Sequence, residues 1–188
     1  MASGAEWADG ANPWRVAGWG FAVALLVTPA VAMQFSTEVN WTFFDFAFAA
    51  VLIGGTGLLI ELAVRRSRNW SYRGGALLAL AAAFLLVWIN AAVGIIGDEA
   101  NPANLVFLAI IGIAVAGTIF ARARPAGMVR AMGVAAAAQA TTGAVVFAAG
   151  IASTEPPGSL GLLILIETFA VLWLGSAMLF RVAARGPV

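Results

Sequence analysis

Six stretches of this chain are each apolar over the length a helix needs to cross a bilayer, roughly 20 residues for about 30 Å of hydrocarbon. They cover residues 16–35, 41–64, 75–97, 103–121, 127–151 and 160–180. In lipid every backbone N–H and C=O must be satisfied within the protein, and a helix achieves this by itself. The connections are short and carry turn residues: Asn101-Pro102, Arg124-Pro125 and Pro156-Pro157-Gly158. Short connections make consecutive helices antiparallel. The expected fold is all-α, a single integral membrane bundle of six transmembrane helices over residues 16–181, flanked by a short segment 1–15 and a tail 182–188. The composition agrees. Of 188 residues, 62% are hydrophobic and 10% charged, against about 45–50% and about 25% in a soluble domain.

The missing residue types narrow the chemistry. There is no Cys, His or Lys, which removes thiolate nucleophiles, Fe–S clusters and Cys-ligated zinc. It also removes the usual haem ligand and the commonest general base, and any Schiff-base chemistry. Ser153, Ser159 and Ser176 have no partner base in the sequence. Gly54, Gly55 and Gly57 make no phosphate loop, since neither a strand nor a Lys accompanies them. The chain is expected to be no enzyme, to carry no cofactor and to bind no nucleic acid.

The net charge of +1 conceals an alternation. Arg65, Arg66, Arg68 and Arg73 lie between the second and third stretches. Arg122, Arg124 and Arg130 flank the fourth-to-fifth connection, and Arg181 and Arg185 follow the sixth. The other connections hold Glu38, then Asp98 and Glu99, then Glu155. By the positive-inside rule the arginine side faces the cytoplasm. Arg15 ahead of the first stretch and an even number of crossings then place both termini inside. Topology control accounts for the cluster Arg65, Arg66, Arg68 and Arg73, which is also a candidate contact for anionic lipid head groups. Ala30-Val31-Ala32 has the small-x-small form of a signal-peptidase site. Yet no positive charge precedes Arg15, and cleavage there would leave five crossings, so the first stretch is expected to be a true helix, kinked near Pro29.

The fifth stretch reads AMGVAAAAQATTGA from residue 131 to 144. Small side chains let backbones approach closely, and that contact associates helices in lipid, so this helix is expected in the middle of the bundle. The bulky second and third stretches, with Phe43, Phe44, Phe46, Phe48, Phe84, Leu85 and Leu86, are expected to face lipid or a partner.

Ionisable groups within membrane spans are functional candidates by default. Glu61 and Arg65, four residues apart, are expected to form a structural ion pair on one helix face. Asp45, Asn90 and Glu167 fall in the outer third, Glu167 and Asn90 each about 10 Å deep by helix rise. Gln139 and Thr142 share a face deeper in the fifth helix, with Thr141 to one side. Asp45, Asn90, Gln139, Thr142 and Glu167 therefore form a candidate polar or ion site. Glu38, Asp98, Glu99, Asn101 and Asn104 form a candidate acidic cup above it. The alternative is that Glu167 bonds Asn90 or a backbone carbonyl as structural glue. Oxygen ligands alone would suit a hard cation such as H⁺, Na⁺ or Ca²⁺.

Glu38-Val39-Asn40-Trp41 and the run VWINAAVGIIGDEANPAN from residue 87 to 104 carry a resemblance. In these, and over most of its length, the chain resembles an uncharacterised group of small bacterial multi-pass inner-membrane proteins. The resemblance implies a bacterial inner-membrane location and carries over no catalytic or binding residue. Three functions remain open from the sequence: an accessory component acting through helix–helix contacts, with itself or in a larger membrane complex; a small cation- or proton-coupled transporter or channel; and an outer-leaflet lipid or amphiphile binder.

Overall fold

The computed structural model describes residues 13–151 and 158–186. Glu155 and residues 1–12 lie outside the described residues. Six α-helices run in order: α1 (Pro13–Ala32), α2 (Phe43–Arg66), α3 (Trp70–Ala92), α4 (Leu105–Phe120), α5 (Pro125–Ala148) and α6 (Gly158–Arg185). A 3₁₀ turn, Pro102–Asn104, leads into α4. The described residues contain no strand, and all six helices are long and apolar enough to cross a membrane, the fourth together with its 3₁₀ turn.

The helix ends follow local chemistry rather than the limits of apolarity. The third helix begins at Trp70 instead of residue 75 because Asn69 caps it, its side-chain oxygen accepting from the backbone N–H of Ser71 (2.8 Å) and Tyr72 (3.2 Å). It ends at Ala92 instead of residue 97 because Gly94, at φ +72°, turns the chain out of the helix. A Cβ at Gly94 would be driven into the Asp98 carbonyl, so only glycine fits that turn. The sixth helix continues to Arg185, past the expected residue 180.

The chain divides into two units, Met1–Glu61 and Leu62–Val188. In the first, α1 and α2 cover little of each other: α1 buries none of its described residues and α2 only Ala49. They meet where the Trp19 indole lies over Gly57 and where Arg15 forms an ion pair with Glu61.

In the second unit α3, α6, α5 and α4 are neighbours in that order, with a thinner contact between α4 and α3 closing the bundle. The centre is shared. The small-residue helix α5 packs on α4 and α6, and α6 packs on α5 and α3. Close approach occurs where expected from residue size. A Cβ on Gly117 of α4 would sit 2.6 Å from the Ala131 Cβ of α5, so those backbones touch only because both side chains are minimal. Gly75 of α3 lies under the Phe180 ring of α6, and the buried Ser176 hydroxyl donates to the Gly75 carbonyl at 2.7 Å. Leu86 departs from expectation. With Ala82 and Asn90 it lies on the inward stripe of α3 and is fully buried, whereas Leu85 stays exposed.

The arginine-bearing segments of this unit gather at one end. The turn from α4 to α5 places Arg122 (φ 49°) and Ala123 (φ 53°) in the left-handed region, which costs non-glycine residues free energy. The turn closes α4 through Ala123 N–H to Thr118 O (3.0 Å) and Arg122 N–H to Ile119 O (2.9 Å). Its outward carbonyls are held by the Tyr72 hydroxyl, which donates to Ala123 O at 3.0 Å, and by Arg66, which donates to Arg122 O at 3.3 Å. Arg73 donates to Ser67 O (2.8 Å) and Val64 O (3.0 Å), which terminates α2, and its guanidinium lies 5.2 Å from the Trp70 ring centre. Arg66 and Arg73 therefore fix backbone as well as carrying charge.

Candidate functional site

Within the second unit, Gln139 and Glu167 meet at the contact between α5 and α6. Gln139, fully buried, donates its Nε2 to the Ile166 carbonyl at 3.3 Å. That carbonyl belongs to the peptide joining Ile166 to Glu167, so the amide head lies against the backbone of Glu167. One helical turn further along α5, Gly143 opens a notch. A Cβ there would overlap the Glu167 carboxylate and approach Ile166 Cγ2 to 3.1 Å. The half-buried Glu167 therefore rests its carboxylate on bare backbone. Gln139 Oε1 has no hydrogen-bond partner. Thr142 and Thr141 donate to their own helix, to Ala138 O (2.9 Å) and Ala137 O (2.8 Å), a local bond that uses their hydroxyl protons and leaves the oxygens as acceptors.

Asn90 does not join Glu167. Its Nδ2 turns back to Leu86 O at 2.7 Å, within α3, and its Oδ1 is buried without a partner. The sequence paired these two by depth alone. The structure satisfies the amide donor locally, on the second lone pair of a helix carbonyl one turn back.

Trp173 is a feature the sequence reading passed over. It is 1% exposed, and its Nε1 has no acceptor. The contacts Ser176–Gly75 and Gln139–Ile166 bring it level with Ala82 on α3 and with Met132, Ala135 and Ala136 on α5, all in one core cluster, and with Ala79, which packs against that cluster. The signal was available. Trp173 stands in the interior of an apolar stretch rather than at its end, and two alanine runs, 81–83 and 135–138, offer the room a buried indole needs.

At the opposite end from the arginines, Asn104 organises the loop between α3 and α4. It is 6% exposed, and all its hydrogen-bonding capacity is used. Oδ1 accepts from the N–H of Ile95 (3.1 Å) and Ile96 (2.8 Å), and Nδ2 donates to Ile96 O (3.3 Å) and Asp98 O (2.8 Å). This clamp presses Ile95 and Ile96 into the core. Asn101 caps the 3₁₀ turn by accepting from Ala103 N–H (3.0 Å), and Asp98 accepts from Ala100 N–H (3.1 Å). Glu99 is exposed. Of the expected cup, Asn104, Asn101 and Asp98 thus spend their side chains on this loop's own backbone.

Glu38 and Asp45 belong to the first unit. Both are exposed. Asp45 Oδ2 accepts from the Thr42 N–H and hydroxyl, each at 2.7 Å, while Asp45 N–H donates to Thr42 Oγ1 at 3.4 Å. This reciprocal pair is a capping box that starts α2, so Asp45 has a structural duty the sequence reading did not anticipate. Glu61 meets Arg15 of α1, a partner that reading did not consider beside Arg65. Among the described residues no three carboxylates come together as a metal site would need.

Chemically, then, the second unit offers one constellation in which acceptors outnumber donors, Gln139 Oε1 with the Glu167 carboxylate. Asn90 Oδ1 and Trp173 Nε1 are also buried without partners, and most of the other polar groups hold backbone. No family model, curated protein or solved structure matches this chain. Its function has to be argued from its own residues.

Proposed function

We propose that this protein is a non-enzymatic, multi-pass component of a bacterial inner membrane that works by lateral helix–helix association through its α1–α2 unit. The arginine end would face the cytoplasm, with both termini inside, by the positive-inside rule.

One observation carries this reading. Of the five glycines in α1 and α2, Gly18, Gly20, Gly54 and Gly55 have open space where a Cβ would stand, and only Gly57 is covered, by Trp19. Gly112 of α4 and Gly133 of α5 are open too, but singly, whereas α1 and α2 carry them in close pairs. A glycine inside a helix costs about 0.5–1 kcal/mol relative to alanine. Lipid acyl chains return nothing for that cost, whereas a second helix backbone does, through the close contact that drives association in bilayers. Gly54 and Gly55, with Ala50 and Val51 one turn before them, form a groove of the kind a partner helix enters.

The test is site-specific photocrosslinking in native membranes. A benzoyl-phenylalanine at Val51 is expected to give a discrete adduct with a second copy or another membrane protein. One at Val171, exposed on α6 where the nearby Gly175 is covered by Leu78, is expected to give none, and Gly54→Leu with Gly55→Leu should abolish the Val51 adduct. No adduct at Val51, or equal adducts at both positions, overturns the reading.

A further inference from the structure

The Glu167 carboxylate lies on α6 about 14 Å from the helix start at Gly158, by the 1.5 Å rise per residue. An uncompensated carboxylate within the hydrocarbon, even in its outer third, is costly, so such groups are found with a partner. The helices packed against this position supply none. Along α4 there is no charged or titratable residue, and α3 has only Tyr72 and Arg73, at the opposite end. On α5 the one charged residue is Arg130, thirteen positions from Gly143 and therefore roughly 20 Å away along the axis. The other charged residues of α6, Arg181 and Arg185, are more than three turns from Glu167.

A second observation points to the same place. Gln139, with no exposed surface, keeps Oε1 without a donor while its Nε2 is fixed on the peptide at Ile166–Glu167. Burying an amide oxygen without a partner costs about 1–3 kcal/mol. These two oxygen acceptors lie on facing helices with no cation or donor for either among the described residues, and one positive charge held here would serve both. Gly143 supplies the space, since any side chain there would occupy the ground on which the carboxylate rests.

We infer that Glu167, Gln139 and the Gly143 notch form a monovalent-cation site. The cation is a proton, held as a carboxylic acid donating to the Gln139 amide oxygen, or a Na⁺ bridging the two oxygens. Both neutralise the carboxylate and satisfy the amide. Oxygen ligands without nitrogen or sulfur suit such hard cations. This site does not depend on lateral association by α1 and α2.

Dicyclohexylcarbodiimide partitions into lipid and modifies protonated carboxyl groups, and the half-exposed flank of Glu167 lets it reach the acid. Purified full-length protein in liposomes is treated with the reagent across a pH series, with and without NaCl, and modification at Glu167 is read by mass spectrometry. For a proton site, modification falls at least tenfold as pH rises, at a midpoint unaffected by Na⁺. For a sodium site, NaCl protects at fixed pH, and Gln139→Leu raises the half-protecting concentration about tenfold or more. In the proton case Gln139→Leu shifts the pH midpoint, because the neutral acid has lost its acceptor. Gly143→Ala is expected to change the same readouts while the protein still elutes as a folded species. Modification insensitive to both pH and Na⁺, or none at any pH, overturns the assignment, as does a Gln139→Leu variant that folds and behaves as the parent does.

Discussion

Replacing Asn104 with alanine is expected to lower the stability of the second unit by about 4 kcal/mol, the largest effect of any single polar substitution in the chain. The substitution strands the N–H groups of Ile95 and Ile96, and each orphaned buried donor costs about 1–3 kcal/mol. Both isoleucines are buried, so water cannot replace the lost acceptor without drawing them from the core. The carbonyls of Ile96 and Asp98 also lose the donor that holds them. Asn104→Asp keeps an acceptor for the two N–H groups but turns an oxygen toward those two carbonyls, so it should fall between alanine and the parent. Thermal unfolding in mild detergent reads the ranking, and limited proteolysis reads its location. Asn104→Ala should become cleavable between residues 94 and 104, while the arginine end stays resistant. A loop with unchanged protease resistance would show that the clamp does not hold it.

Trp173→Ala is expected to cost about 3 kcal/mol, near the lower end of the range for deleting a buried aromatic ring. In lipid the transfer contribution is small, because the unfolded helix also lies among hydrocarbon, and the loss is chiefly the contacts of a filled site. The neighbouring layer is made of Ala79, Ala82, Ala135 and Ala136 with Met132, so only one side chain is long enough to move toward the void. The control separates packing from polarity. Because the indole N–H has no acceptor, Trp173→Phe gives up no hydrogen bond, keeps most of the volume, and should change the unfolding midpoint by little in either direction. If Trp173→Phe were as damaging as Trp173→Ala, the indole N–H would have a partner and the packing explanation would fall.

These two residues also mark where the sequence was readable and where it was not. Six helices follow from apolar length alone, because length against bilayer thickness is a one-dimensional property that the order of residues along the chain reveals directly. Helix ends do not follow from it, since Asn69 and Gly94 set the ends of α3 by cap chemistry that overrides apolarity. Depth along a helix was legible to within a turn, but rotation about its axis was not. That is why Asn90 and Glu167 looked like partners, and why Leu86 looked lipid-facing when it is core. Asn104 read as part of an acidic cup because nothing local announces that an amide will reach back eight and nine residues to two backbone N–H groups. Glycine was the most informative residue in the outcome and among the least in the reading. Gly143 and Gly117 differ from Gly54 and Gly55 only in what stands opposite them, and a single sequence does not contain that.

The most direct test of the underlying architecture uses the absence of native cysteine. Ser67→Cys, at the arginine end, and Glu99→Cys, in the loop held by Asn104, are treated in intact cells with a membrane-impermeant maleimide. Glu99→Cys should be labelled at once, and Ser67→Cys only after the membrane is opened. Labelling of both from the same side would contradict a chain whose third helix crosses the bilayer. The reverse pattern would keep the crossing and invert the orientation proposed for it.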